Sequence, residues 1–105
     1  MKPCILLLTC SDQKEADLVA KKLLEKRLAA CVKFVPTNST YRWKGKIESA
    51  SEILLIIESI VGNFEEIQAV LKKIHSYETF NLTMVSVEKT TEKAQKWLEN
   101  EINQA

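Results

Sequence analysis

Two kinds of apolar spacing follow one another along this chain and predict its elements. Short apolar runs closed by polar turn residues are typical of buried strands, and they occupy residues 4–9, 52–58 and 82–87. Apolar residues that recur every three or four positions predict amphipathic helices, and they occupy residues 13–27, 67–74 and the segment from about residue 91. The pattern therefore predicts alternating strands and helices with short connections.

Two of the predicted helices begin with a capping signal. Asp12 precedes the first helix and Glu15 follows it by three positions, and Asn63 and Glu66 stand in the same relation before the second helix. Side chains in such a pair accept hydrogen bonds from backbone N–H groups at the start of a helix. We expect both helices to begin directly after Asp12 and Asn63.

The middle of the chain predicts one long hairpin with a broken first arm. Residues 30–35 and 40–43 have strand character, and Lys44 with Gly45 forms a turn. Pro36 lies between the two stretches of the first arm and has no N–H for a strand ladder, which indicates an edge, bend or bulge there.

The hairpin from Ala30 to Ser59 is longer than the rest of the sheet can cover, and its tip carries Tyr41 and Trp43. Large aromatic side chains on a projecting hairpin indicate a surface for a partner. The alternative is that both rings fold back onto the helices of their own chain.

The order of elements is β-α-β-β-α-β followed by a helix. This order predicts the α+β class, as a ferredoxin-like sandwich with a long β2-β3 hairpin and an additional C-terminal helix. A length of 105 residues fits one domain over 1–105, and 46% hydrophobic residues are enough for a core without disulfides.

Charge and cysteine content narrow the possible partners and the compartment. Fifteen Lys and Arg balance fourteen Asp and Glu, for a net charge of +1, which argues against nucleic acid as a partner and opposes self-association only weakly. No apolar stretch approaches the ~20 residues of a membrane span. The chain has three cysteines, Cys4, Cys10 and Cys31. An odd number without a CxxC spacing indicates reduced thiols in the cytoplasm.

Several short strings in this sequence match one protein family together. They are found at residues 9–12, 27–32, 41–48 and 75–78, where the chain reads TCSD, RLAACV, YRWKGKIE and HSYE. In order and spacing they resemble the CutA divalent-cation tolerance family, over roughly residues 4 to 98. No single string is specific, but their combination is.

The resemblance implies a homotrimer in which long hairpins pack against neighbouring subunits. It also implies a role in tolerance or homeostasis of divalent metal ions, with weak binding of Cu²⁺ or another divalent cation. The chain departs from the family pattern at Ser76, Phe80, Asn81 and Ser86, where three prolines and one carboxylate are replaced. A ligand site that uses the carboxylate replaced by Asn81 should therefore be weakened.

His75 and Cys10 are the candidate metal ligands. His75 is the only imidazole and would suit Cu(II) or Zn(II), and the alternative is a partly exposed histidine favoured by the dipole at a helix C-terminus. Cys10 lies between a strand and a helix, where a thiolate is stabilised, so it would suit Cu(I) or redox chemistry. The alternative for Cys10 is a small buried hydrophobic residue.

Five further residues form a polar and aromatic set that we expect at an intersubunit interface or cleft, namely Tyr41, Trp43, Lys46, Tyr77 and Glu78. This set leaves a second function open. By analogy of fold with the nitrogen-regulatory PII proteins, the trimer would be a sensor that binds a small anionic ligand in the clefts between its subunits.

The sequence predicts no enzymatic activity. The single histidine has no acidic partner placed for a triad, the two glycines form no phosphate-binding loop, and no zinc spacing such as HExxH is present. We interpret the carboxylates of Glu48 and Glu52 as ordinary solvated charges at a sheet edge.

Overall fold

The computed structural model describes residues 1–102 and has an α+β architecture. Its strands are β1 (Pro3–Cys10), β2 (Cys31–Trp43), β3 (Lys46–Ile60) and β4 (Thr83–Ser86). Its helices are α1 (Gln13–Glu25), α2 (Phe64–Ile74) and α3 (Glu92–Glu101), with a short 3-10 turn at Val61–Asn63. The part of the single-domain prediction that falls on residues 103–105 lies outside the described residues.

The four strands form one antiparallel sheet in the order β2-β3-β1-β4. The strands predicted at residues 4–9 and 52–58 are its two central strands, as their apolar character indicates. Every second residue is buried along β1 and along residues 55–59 of β3, and most of these side chains belong to the core shared with the helices. The fully buried core includes Leu6, Leu8, Val19, Leu23, Leu55, Ile57, Ile67 and Leu71. Each such side chain contributes roughly 1.5–3 kcal/mol by leaving water.

The opposite face of the sheet is also apolar but less completely buried. Ile5, Leu7, Leu54 and Ile56 alternate with the core residues along β1 and β3, so their side chains point away from that core. All four keep part of their surface exposed. We call these four residues the open face.

The hairpin of β2 and β3 is continuous, so the interruption predicted at residues 36–39 is wrong, whereas the edge position that Pro36 indicated is confirmed. Pro36 pairs with Ile53 within an unbroken ladder. β2 lies at the edge of the sheet, where a proline can be placed without costing a ladder hydrogen bond. At the tip Lys44 and Gly45 both have positive φ, of 50° and 81°, as a two-residue turn of the I′ type requires.

The capping prediction for α1 is confirmed. The Glu15 N–H donates to Asp12 Oδ1 at 2.8 Å, and the Ser11 N–H donates to Glu15 Oε1 at 2.9 Å. The helix ends at Glu25, two residues before the predicted end. The reason is that Arg27 has a left-handed backbone with φ of 56° and cannot continue the helix.

α2 begins directly after Asn63, as predicted, but the predicted side-chain cap is wrong. Asn63 has helical φ and ψ and its side chain makes no cap hydrogen bond. Its Nδ2 instead donates to the backbone oxygen of Leu28 at 3.2 Å, and Ser59 Oγ donates to the same oxygen at 2.6 Å. Both side chains are buried. The Leu28 carbonyl needs donors inside the core. The Asn63 side chain is oriented to supply one through Nδ2, and its oxygen does not cap the helix.

The last two elements follow the prediction closely. β4 covers four residues and pairs with β1, and Thr91 Oγ1 accepts a hydrogen bond from the Ala94 N–H at the start of α3.

Within residues 1–102, no helix combines the length and apolar character needed to cross a membrane.

The different roles of Asn63 and Asp12 predict a large loss of stability for one small substitution and almost none for another. Asn63→Asp removes the donor to Leu28 and places a buried carboxylate beside a carbonyl oxygen, so it should lower the free energy of unfolding by about 2 kcal/mol. The matched control is Asp12→Asn at a true cap, which should change it by only a few tenths of a kcal/mol because both residues cap well. Urea denaturation measures both. A neutral or stabilising Asn63→Asp would restore the capping interpretation.

Candidate functional site

His75 lies where the end of β1, the start of α1 and the segment after α2 meet. It is the C-cap of α2, and its side chain is fully buried. This differs from the partly exposed imidazole considered in the sequence analysis. Phe80 stacks on the ring with centroids 5.4 Å apart, which helps to exclude water from it.

Both ring nitrogens of His75 are hydrogen-bonded to the backbone. The Tyr77 N–H donates to Nδ1 at 3.1 Å, and Nε2 lies 2.9 Å from the oxygen of Thr9. A backbone N–H can only donate and a carbonyl oxygen can only accept. The proton of the neutral ring is therefore on Nε2, which donates to Thr9 and joins β1 to the segment after α2.

Glu15 supports the same junction through its carboxylate. Oε1 accepts from the Ser11 N–H at 2.9 Å and Oε2 accepts from the Ser76 N–H at 2.6 Å, and Oε1 lies 4.0 Å from His75 Nε2. Burial alone would raise the pKa of Glu15, but the hydrogen bonds from Ser11 and Ser76 outweigh it and lower that pKa. The carboxylate is thus held ionised. Sequence reasoning placed Glu15 at the start of α1 and missed its contact with the distant residue Ser76.

The thiolate expected at Cys10 is not supported. The side chain is fully buried in the core, as the alternative interpretation predicted. Burial raises the pKa of the Cys10 thiol to about 12, and the nearby carboxylates of Glu15, Asp12 and Glu52 raise it further in the same direction. The thiol is therefore protonated at neutral pH.

The structure nevertheless brings Cys10, Glu15 and His75 together. One ligand atom from each lies within 4.8 Å of the others, a spacing that a small movement would reduce to the reach of one ion. However, both ring nitrogens and both carboxylate oxygens already accept or donate hydrogen bonds. With the thiol protonated as well, this cluster does not fit a preformed metal centre.

A separate cleft lies between the long hairpin and the segment after His75. Its volume is about 610 Å³, and its walls include Tyr41, Trp43, Glu52, Tyr77, Glu78 and Asn81. The structure thus brings together four of the five residues predicted for an interface or cleft. The exception is Lys46, which pairs with Trp43 across the hairpin tip and does not line the cleft.

Glu52 is the residue that the sequence analysis misjudged. It is 8% exposed rather than solvated, and its Oε2 accepts a hydrogen bond of 2.5 Å from the hydroxyl of Tyr77. Burial and then the Glu52 carboxylate raise the pKa of Tyr77, so the phenol stays protonated. A carboxylate at the start of an apolar run in a central strand was the available signal, since such a position is seldom well solvated.

The fold and these two sites define a small α+β protein in which a long hairpin forms one wall of a ligand-sized cleft. Comparison with known proteins supplies its family. The family model described as CutA1 divalent ion tolerance protein matches residues 4–101. This chain belongs to that family, as the sequence resemblance indicated.

Individual relatives agree with this assignment. The divalent-cation tolerance protein CutA of Archaeoglobus fulgidus is 35% identical over 95 residues, which cover 90% of this chain and 93% of that protein. Protein CutA of Mus musculus is 38% identical over 81 residues, which cover 76% of this chain but only 46% of the mouse protein.

Solved structures of the same family share this fold. The structure described as the periplasmic divalent cation tolerance protein CutA from Archaeoglobus fulgidus superposes with a TM-score of 0.94 and 33% identity, covering 96% of this chain and 99% of the other. The Thermus thermophilus protein superposes with a TM-score of 0.93 and 28% identity, with the same coverage. The α+β architecture is therefore that of CutA proteins.

The state of the thiols is testable by alkylation. Burial raises the pKa of Cys4 to about 11 as well as that of Cys10, and both side chains are buried. Neither should react with iodoacetamide in the native protein at pH 8, and both should react in concentrated urea. Peptide mass spectrometry identifies the labelled residue. Rapid native labelling of Cys10 would show that it is an accessible thiolate after all.

Proposed function

We propose that this chain acts without enzymatic activity in divalent-cation tolerance or homeostasis, as a homotrimer of ferredoxin-like subunits. Membership of the CutA family over residues 4–101 carries the proposal. The strand order β2-β3-β1-β4, with helices packed on one face, supports the ferredoxin-like description. The relatives are named for tolerance of divalent cations.

The surface of the single chain supports self-assembly. The open face keeps apolar side chains partly exposed, and the edge strand β2 adds Val35, which pairs with Leu54 and is 40% exposed. Burial of such a surface against further copies would stabilise an oligomer. The net charge of +1 opposes that association only weakly.

The proposal includes a location in the cytoplasm and self-association as the main interaction. The three cysteines are free, which supports the cytoplasm, whereas the Archaeoglobus relative is described as periplasmic. Balanced charge supports self-association rather than nucleic acid as the main interaction.

Copper binding at Cys10 and His75 should be weak. An ion that binds His75 must displace either the Tyr77 N–H or the Thr9 oxygen from the ring, and an ion that binds Cys10 must first displace a proton from a buried thiol. Both displacements cost free energy and therefore lower the affinity of the cluster for copper. The proposed role therefore does not require a resident metal in this cluster.

The alternative sensor function places an anionic ligand between subunits, and the cleft within the single chain does not favour an anion. The cleft is lined by the carboxylates of Glu52 and Glu78, and its lining includes no lysine, arginine or histidine. An anion there would be repelled rather than held. The charge of the cleft instead suits a ligand of the opposite sign.

Assembly is tested by placing a charge on the open face. Leu54→Lys should convert the trimer into monomers, because an ammonium would be buried in an apolar interface. The control is Leu18→Lys on α1, where the side chain is already 42% exposed, and it should leave the trimer intact. Multi-angle light scattering should give about three times 12.0 kDa for the wild type and the control. A wild-type mass of one chain would refute the trimer.

Copper binding is tested by titration of wild type, His75→Ala and Cys10→Ser, with Cys31→Ser as a control. Cys31 is a thiol outside the cluster. Cys10→Ser should weaken Cu(I) binding by at least about tenfold because a hydroxyl is a poor soft-metal ligand, and His75→Ala should do the same for Cu(II). Circular dichroism verifies folding of each variant. If both variants bind copper as the wild type does, these residues are structural only.

A further inference from the structure

The cleft beside the hairpin has the size of a small-molecule site and a negative lining. Its volume of about 610 Å³ lies within the roughly 300–1,000 Å³ of such sites. Glu52 and Glu78 are among the residues that line it, and no basic residue is. This cleft shares none of its lining with the Cys10, Glu15 and His75 cluster.

Glu52 leaves one carboxylate oxygen without a partner. The residue is more than nine-tenths buried, and its Oε2 accepts a hydrogen bond from the hydroxyl of Tyr77. Its Oε1 accepts none from residues 1–102, and it is not among the atoms sealed from solvent. A largely desolvated carboxylate is costly unless a positive group or further donors compensate its charge. The open oxygen is thus a site for a positively charged group, which compensates the carboxylate whether or not it donates a hydrogen bond.

Aromatic rings form the rest of the wall. In the single chain Tyr41 and Trp43 are 43% and 39% exposed on the hairpin, and Tyr77 closes the opposite side. The faces of such rings attract cations, indole most strongly. Trp43 already shows this property, since the ammonium of Lys44 lies 5.5 Å from its ring centroid.

We propose that this cleft binds a small organic cation, a primary or quaternary amine, between the aromatic rings and the carboxylates of Glu52 and Glu78. The rings would contact the methyl or methylene groups that surround the charge, and Glu52 Oε1 would face the charge itself. Such a ligand would use both the negative charge and the aromatic rings of the cleft. A bare divalent ion would use the charge alone and leave three aromatic rings without a role. The inference goes beyond the tolerance function and does not depend on copper binding.

The test is calorimetric titration of the whole protein with tetramethylammonium chloride. tert-Butanol, which has a similar bulk and no charge, measures the contribution of shape alone, and sodium acetate measures that of the opposite charge. We expect saturable binding of tetramethylammonium only. Binding of tert-butanol or acetate as tight as that of tetramethylammonium, or the absence of saturable tetramethylammonium binding, would overturn the proposal.

Two matched variants then locate the site. Glu52→Gln removes the charge but keeps an oxygen for the Tyr77 hydroxyl, and it should weaken binding at least about tenfold, the equivalent of about 1.4 kcal/mol. Glu48→Gln removes a charge from the same strand outside the cleft and should weaken it less than about twofold. Equal losses in both variants, or no loss in Glu52→Gln, would refute the site. Light scattering on the same samples reports assembly separately, so failure of the trimer and failure of this site are distinguishable.

Discussion

The hydrogen bonds of the buried His75 imidazole fix the segment that forms one wall of the cleft, and the rest of the site depends on them. Its Nε2–H donates to Thr9 at the end of β1, and its Nδ1 accepts from Tyr77 after α2. Glu15 adds a parallel connection from α1 to Ser76. These bonds fix the course of a segment that has no strand or helix of its own between Ile74 and Thr83.

The direction of this segment determines where Tyr77 lies. Held by His75, the chain presents the Tyr77 hydroxyl to Glu52 on the central strand β3, and this contact closes one end of the cleft. The same bonds occupy the lone pairs that a metal would require. A single arrangement therefore accounts for the shape of the cleft and for a cluster of cysteine, glutamate and histidine whose ligand atoms are already hydrogen-bonded or protonated.

The sequence allowed most of the fold to be predicted, because periodicity is a local property. β1, β3 and the start of α1 were identified from apolar spacing and one cap. The errors have distant causes. The first arm of the hairpin is not interrupted at Pro36 because β2 pairs with β3 along its whole length, and Asn63 serves the Leu28 carbonyl, 35 residues away along the chain.

The candidate site was predicted only as a set of residue types. Tyr41, Trp43, Tyr77 and Glu78 do lie around one cleft of the single chain, and their role at an interface stays a prediction. The contact of Tyr77 with Glu52 was missed because it joins residues 25 positions apart. Likewise, the burial of Cys10 and the engagement of both nitrogens of His75 arise from tertiary packing. Spacing alone does not reveal whether a potential ligand is already hydrogen-bonded.

The most direct test of this account is the tautomer of His75, measured by long-range ¹H–¹⁵N NMR of the imidazole at neutral pH. The chain has a single histidine, so the spectrum contains one ring. The account predicts one stable tautomer with the proton on Nε2 and a hydrogen-bonded, unprotonated Nδ1. A ring protonated at Nδ1, or one that averages rapidly between both tautomers, would contradict it.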